Sequence, residues 1–207
     1  MLIFFAILVV CIILVVVLLP RKELKEDFIP QQEYIPFLWE DAYNQKEILP
    51  IANKPHILNE FREIEAFAKE HNTGMGYNGI YVRTEKPTTI QSLGISVDAF
   101  SSIFDEYGFK RAGWINYWGN IIATGSTLAF GKSVFTVFAE QENGYIKAIC
   151  VFLFGIIGKE QDKKSIAEAL HFLGTQYNLT LTDWDTLTFF NLSEPADIEA
   201  FLSEYCP

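Results

Sequence analysis

Cysteine is scarce in this sequence, which has only three among 207 residues. Cys11 and Cys150 lie inside apolar runs, and Cys206 stands close to the last residue. The sequence has no CxxC pair and no Cys/His spacing typical of a metal site, so we predict neither a disulfide scaffold nor a zinc module. Unpaired cysteines of this kind favour a reducing compartment. We expect no metal and no cofactor.

Histidine is equally rare, and it does not form a recognisable catalytic set. His56, His71 and His171 have no serine, cysteine or carboxylate at a spacing that indicates a triad. We interpret all three as ordinary surface histidines. The sequence therefore predicts a protein that is not an enzyme and has no catalytic residues.

Two glycine-rich stretches approach nucleotide-binding motifs without completing them. Residues 74–79, GMGYNG, match G-x-G-x-x-G, but a helix is predicted before them and a strand after them, the reverse of a dinucleotide site. Residues 125–133, GSTLAFGKS, have Ser126 where a phosphate-binding loop requires glycine, and a strand is predicted to follow. We interpret both stretches as turns.

Basic residues are also in deficit, with 16 lysines and arginines against 26 acidic residues and a net charge of −10. Such a chain repels phosphate backbones, which argues against nucleic-acid binding. The negative charge favours a basic protein partner, or it serves solubility alone.

One long apolar run is present, residues 2–19, LIFFAILVVCIILVVVLL. A helix of this length covers roughly 27 Å at about 1.5 Å per residue, close to the hydrocarbon thickness of a bilayer. The run is too long for a signal-peptide core and lacks a small-residue cleavage site. We therefore predict that residues 1–20 form a single-pass transmembrane signal anchor in contact with lipid. Arg21, Lys22 and Lys25 follow it, and the positive-inside rule places the domain in the cytoplasm.

Proline interrupts the next segment at Pro30, Pro36, Pro50 and Pro55, so helix is disfavoured there. This segment carries too many aromatic and apolar residues for a plain linker. We predict a Pro-rich tether over residues 21–55 that packs in part against a globular domain over residues 56–207.

The remaining sequence alternates between helical and strand-like patterns. Helices are predicted over residues 55–71, 97–107 and 163–177 and after Ser193, with Ser96 and Ser193 as N-caps. Strands are predicted over residues 79–83, 113–118, 121–130, 134–138, 145–154 and 179–192, the last with a reversal at residues 183–185. Asn143-Gly144 is a strong hairpin signal. The fold class is therefore α+β, with a mainly antiparallel sheet and about four helices.

Two short groups are the candidate binding residues. Aromatic side chains are most concentrated in the first group, and tryptophan and tyrosine often dominate binding surfaces. The second group places two carboxylates around a tryptophan, which could bind a cation or act as acid and base. The groups are Trp114, Tyr117 and Trp118, and Asp183, Trp184 and Asp185.

These observations predict a non-enzymatic, membrane-anchored protein-binding domain. An immunity-type inhibitor of a bacterial toxin fits the small acidic fold and the anchor. Two alternatives stay open. One is a structural or assembly subunit of an envelope complex. The other is a membrane-bound hydrolase whose site assembles from His171, Asp183 and Asp185.

Overall fold

Ten strands form two sheets in the computed structural model, which describes residues 34–205. In chain order they are β1 (Phe37–Leu38), β2 (Lys46–Pro50), β3 (Lys110–Ala112), β4 (Trp114–Tyr117), β5 (Asn120–Ala123), β6 (Thr127–Lys132), β7 (Phe135–Glu142), β8 (Tyr145–Leu153), β9 (Leu179–Asp183) and β10 (Thr188–Asn191). The larger sheet has seven antiparallel strands in the order β10-β9-β2-β8-β7-β6-β3. The smaller sheet has the order β1-β4-β5, with β1 parallel to β4.

Four α-helices accompany the sheets within the described residues: α1 (Lys54–His71), α2 (Val97–Glu106), α3 (Glu160–Tyr177) and α4 (Pro195–Ser203). Short 3₁₀ helices lie at Glu40–Ala42, Ile51–Asn53 and Gln91–Leu93. Ser96 caps α2 as expected, because its side chain accepts a hydrogen bond from the backbone N–H of Ala99. Gly108 follows α2 with a φ of 71°, a backbone conformation that favours glycine.

The seven-stranded sheet is covered on both faces. Helices α2, α3 and α4 pack over one face, and α1 and residues 34–43 pack over the other. Strand β2 illustrates the alternation, because Ile48 belongs to the first layer and Leu49 to the second. Double coverage explains why β8 is almost continuously apolar in its second half.

The α+β class, the four helices and the mainly antiparallel sheet are confirmed. The hairpin at Asn143-Gly144 is also present: φ is 53° at Asn143 and 81° at Gly144, and the turn joins β7 to β8. Positive φ at both positions is the signature of a primed turn, whose twist matches that of the strands.

Two local predictions differ from the structure, and a third agrees with it. Residues 79–83 are extended but belong to no strand. Both edges of β2 are already paired, with β8 and β9, and the segment instead packs on α1 through Tyr81. The reversal predicted within residues 179–192 is present, because a turn at residues 184–187 joins the antiparallel strands β9 and β10. Ser193 does not cap α4: Glu194 holds that position, and the Ser193 hydroxyl donates to the carbonyl of Gly174.

The segment assigned to the tether belongs to the folded domain from Tyr34 onward. Its residues 46–50 form β2, which lies between β9 and β8 near the middle of the seven strands. Pro50 is the last residue of that strand, so its missing N–H costs the ladder little. The proline pattern thus concealed an internal strand.

The predicted anchor, residues 1–20, lies outside the described residues. Between residues 34 and 205, none of the helices is both long and apolar enough to cross a bilayer.

Candidate binding surfaces

The first predicted group lies in the three-stranded sheet. Trp114 and Tyr117 are half-buried on its central strand β4, and Trp118 stands in the turn to β5. That turn has positive φ at Trp118 (51°) and Gly119 (83°), and Asn116 Oδ1 accepts a 2.8 Å hydrogen bond from Gly119 N. The turn leaves the Trp118 side chain 54% exposed. Of the three, Trp118 is therefore the residue best placed for contact with another molecule.

Trp118 is one end of a continuous row of aromatic rings. Its ring centroid lies 4.5 Å from that of Trp39, which lies 5.7 Å from Phe37, and Phe37 lies 5.3 Å from Phe154. Phe154 and the nearby Ile156 are both more than half exposed. We call these five residues the aromatic face. Exposed apolar patches of this kind on a folded domain mark interaction sites.

A cavity of about 610 Å³, which we call the lysine pocket, lies next to the aromatic face. Tyr34 covers one side of it: its ring packs so closely on Gly131 that a Cβ there would overlap the ring. The Tyr34 hydroxyl lies 3.1 Å from Thr136 Oγ1. Three lysines and one carboxylate line the pocket, namely Lys110, Lys132, Lys159 and Asp162.

Lys132 also stabilises the fold at this pocket. Its Nζ donates a 2.7 Å hydrogen bond to the carbonyl of Tyr107, the residue that ends α2. A cation at the carboxyl end of a helix is favourable because the last carbonyls carry partial negative charge. The hairpin turn predicted at residues 130–133 lies at residues 133–134 instead, because Phe130, Gly131 and Lys132 still pair with β7 as the last residues of β6. Strand β7 follows this turn, and not a phosphate-binding helix.

The second predicted group forms the turn after β9. Asp183 is fully buried, and its Oδ1 accepts hydrogen bonds from the backbone N–H groups of Asp185 (3.0 Å) and Thr186 (3.3 Å). Lys46 Nζ lies 3.0 Å from Asp183 Oδ2 and 3.2 Å from Asp185 Oδ2. The two carboxylates thus share a cation supplied by the protein itself, and Asp185 alone is exposed.

Trp184 is buried, in contrast to Trp118, and packs in a cluster with Leu49, Ile57 and Phe61. Its Nε1 donates a 2.8 Å hydrogen bond to Glu47 Oε2, and Lys86 Nζ lies 2.7 Å from Glu47 Oε1. The guanidinium of Arg83 lies 4.6 Å from the Trp184 ring centroid. This network holds residues 83–86 over β2, beside a cavity of about 500 Å³. The indole of Trp184 therefore packs the domain and offers a partner no exposed face.

The most exposed apolar side chains belong to residues 74–82, which we call the apolar loop. Met75 is 99% exposed, Ile80 88% and Val82 78%, and Tyr77 is also exposed. The G-x-G-x-x-G match lies in this loop, directly after α1 and outside any strand-to-helix turn. The sequence gives only a weak signal for the loop, since apolar residues between glycines are equally compatible with the strand predicted there.

Hydrogen bonds hold the apolar loop against α1. At its tip, Thr73 N donates to the carbonyl of Gly76 (2.8 Å), and Asn78 N donates to that of His71 (3.1 Å). The Nδ1 of His71 lies 2.8 Å from Asn78 Oδ1. These contacts close residues 72–78 into a defined reversal, so the loop presents its apolar side chains from a fixed base.

Glu60 fixes the other end of the loop. This buried residue of α1 accepts a hydrogen bond from Tyr81 Oη (3.1 Å) and two from Thr84, through Oγ1 (2.5 Å) and the backbone N (3.3 Å). Burial by itself raises the pKa of a carboxylate, but these hydrogen bonds outweigh burial and hold the pKa of Glu60 below its ordinary value of 4.5.

The groups that could do chemistry are engaged in packing. Burial raises the pKa of the Cys150 thiol to about 12, so the thiol stays protonated at neutral pH. His171 lies half-buried on α3, and Asp183 is held by Lys46. Within residues 34–205, no cluster of three or more histidine, cysteine or acidic residues could hold a metal ion.

The described surface thus contains two exposed apolar regions, and the sequence identified one residue of one of them, Trp118. Phe37 and Trp39 were signalled only by the unusual apolarity of the predicted tether. Comparison of this chain with protein-family models, with curated proteins and with solved structures finds no match.

Proposed function

We propose that this protein is a non-enzymatic, membrane-anchored protein-binding domain. Residues 2–19 cross the bilayer as a single-pass anchor, and the domain binds another protein on the cytoplasmic side. The specific form that fits a small acidic fold without a catalytic set is an immunity-type inhibitor that neutralises a bacterial toxin at the membrane.

The apolar loop is the observation that carries this proposal. Met75, Ile80 and Val82 are almost free of intramolecular cover, yet the backbone between them is held by the hydrogen bonds at His71, Asn78 and Glu60 described above. A preorganised loop loses little conformational entropy on binding, so more of its apolar contact energy appears as affinity. Burying one isoleucine contributes roughly 1.5–3 kcal/mol.

Charge near the loop favours a basic partner. Burial, the hydrogen bond to Glu60 and the negative charges of Glu60 and Glu63 together raise the pKa of Tyr81 at the base of the loop. Glu63 is exposed on α1. A partner that docks on the apolar loop therefore meets the exposed carboxylate of Glu63 at its base, and with a net chain charge of −10 this speeds association of a positively charged protein.

The partner can be sought with a photo-crosslinking amino acid at position 75 of the full chain in its native cells. Phe172 is the control site, because it is also partly exposed but lies on α3, over the opposite face of the seven-stranded sheet. We expect one discrete protein adduct from position 75 and none from position 172. With the purified partner, Ile80→Ser should weaken binding about tenfold or more, since each 1.4 kcal/mol is a factor of ten.

Two results would contradict the proposal. If position 75 yields no adduct, or if position 172 yields the same adduct, the apolar loop is not the binding surface. The anchor is tested separately by alkaline carbonate extraction of membranes. The full-length chain should stay in the membrane pellet, and a soluble product trimmed near Pro20 would exclude the anchor.

A further inference from the structure

We infer that the aromatic face and the lysine pocket together form a lipid-docking surface that lies against an anionic bilayer. In this arrangement the domain rests on the membrane in one orientation and directs the apolar loop to its protein partner. The inference rests on the anchor in the proposed function, and it concerns residues of the folded domain that the anchor does not include.

Two short segments of the chain connect the aromatic face to the lysine pocket. Phe154 and Ile156 of the aromatic face lead along the chain directly to Gly158 and Lys159, which line the lysine pocket. The backbone N–H of Phe154 donates to the carbonyl of Val134, which joins this segment to the turn that carries Lys132 and Ser133. Exposed apolar residues at positions 154 and 156 are therefore within five residues of Lys159 along the chain.

The chemistry of this surface matches the boundary between lipid headgroups and acyl chains. Tryptophan and phenylalanine prefer this boundary, because their rings are apolar and the indole N–H can still reach water or headgroups. Lysine stems extend along apolar surface and place the ammonium group among phosphates. Trp118, Phe154 and Lys159 supply these groups from exposed positions.

Charge decides which of the two exposed apolar regions suits anionic lipid. Three lysines line the pocket against the single carboxylate of Asp162, although the chain as a whole carries −10. Among the described residues, no carboxylate forms an ion pair with Lys110 or Lys159. At the base of the apolar loop the exposed neighbour is the carboxylate of Glu63 instead, so anionic headgroups would be repelled there.

Chain connectivity brings the same surface within reach of the bilayer. The polypeptide enters the described domain at Tyr34, whose ring lines the lysine pocket, and reaches Phe37 and Trp39 directly afterwards. Residues 21–33 separate Tyr34 from the predicted anchor, and fully extended they span roughly 43 Å at about 3.3 Å per residue. A short tether raises the effective concentration of the domain at the lipid surface, so weak contacts suffice.

Lipid contact can be measured by tryptophan quenching in the full chain. The protein is reconstituted into vesicles of phosphatidylcholine and phosphatidylglycerol whose acyl chains carry bromine, which quenches tryptophan only on contact. Trp118→Phe should remove a large share of the tryptophan emission that the brominated lipid quenches. Met75→Trp in the Trp118→Phe background places an exposed indole on the apolar loop, and we expect this emission to be quenched by aqueous acrylamide but not by bromolipid.

A charge variant tests the pocket independently of the indole. Lys110→Gln with Lys159→Gln should lower the quenching of Trp118 in anionic vesicles towards the level seen in pure phosphatidylcholine. Both lysines are exposed and unpaired within the described residues, so the fold should persist. Lys164→Gln is the control for loss of a lysine charge outside the pocket; Lys164 is exposed on α3, where it pairs with Glu168 at 3.8 Å, and its replacement should leave the quenching unchanged.

The outcomes separate this inference from the proposed function. Release of the full chain from membranes would overturn both the proposed anchor and the proposed docking surface. Retention in the membrane with Trp118 unquenched by bromolipid would overturn the docking surface and leave the anchor in place. Protection of Trp118 from both quenchers would mean that a protein, such as a second copy of this chain, covers the face, and would also overturn the inference. Equal bromolipid quenching at positions 75 and 118 would show that lipid contact is not specific to the aromatic face, and would also overturn the inference.

Discussion

Replacement of Glu60 by glutamine is the most direct test of how the apolar loop is held. Glutamine keeps the shape of the side chain but removes the charge and converts one accepting oxygen into a donor. Three hydrogen bonds from Tyr81 and Thr84 now converge on the carboxylate. Hydrogen bonds to charged groups contribute roughly 1.5–3 kcal/mol each against roughly 0.5–1.5 for neutral ones, and a buried donor left without a partner costs about 1–3 kcal/mol. We expect Glu60→Gln to lower the free energy of unfolding by about 2–3 kcal/mol.

Urea unfolding of the full chain in mild detergent measures this loss, and amide hydrogen exchange at Thr84 reports the local effect. The Thr84 amide should exchange faster in the variant, because its acceptor is weakened. Glu63→Gln, an exposed change on the same helix, is the control and should stay within about 0.5 kcal/mol of the parent. If Glu60→Gln also stays within that range and the Thr84 amide keeps its protection, the loop is held by other contacts.

Three further predictions concern Glu60, Gly174 and Cys150. The pKa of Glu60 in the folded protein is held below its ordinary value of 4.5. The Glu60 carboxylate should therefore contribute fully to stability above about pH 4.5, and this contribution should be lost as pH falls through the pKa of the folded state. A free energy of unfolding that declines equally in acid for the parent and for Glu60→Gln would refute this. Gly174→Ala places a Cβ in overlap with the backbone carbonyl of Leu192, so thermal unfolding should show a loss of about 1–3 kcal/mol despite the better helix propensity of alanine. Gly158→Ala, which meets open space, should be neutral, and equal melting temperatures for the two variants would count against the packing of α3. Cys150 should resist thiol reagents at neutral pH until the domain unfolds; peptide mapping that finds it modified in the native protein would contradict its burial.

The helices and tight turns could be predicted from the sequence because their signals are local. The helix predicted over residues 55–71 is observed at Lys54–His71, where apolar residues recur with helical spacing. Ser96 and the Asn143-Gly144 turn act through backbone groups within a few residues of themselves.

Strand partners and segment boundaries could not be predicted in the same way. Strand β2 pairs with β8 and β9, which lie far along the chain, and the sequence around it is dominated by prolines that favour a tether. Residues 79–83 have strand-like composition, but every pairing edge of β2 is occupied, so they pack on α1 by side-chain contacts. Pairing depends on which edges remain free, and this is a property of the whole fold.

The candidate surfaces show the same division. The amino-acid sequence alone determined the apolar run at residues 2–19, the net charge and the concentration of aromatics near Trp118. Only the tertiary structure decided that Trp118 is exposed beside Trp39 while Trp184 is buried against Glu47. Two tryptophans with similar local sequence signals take opposite positions because exposure depends on which distant elements cover a side chain, and a local pattern holds no information about those elements.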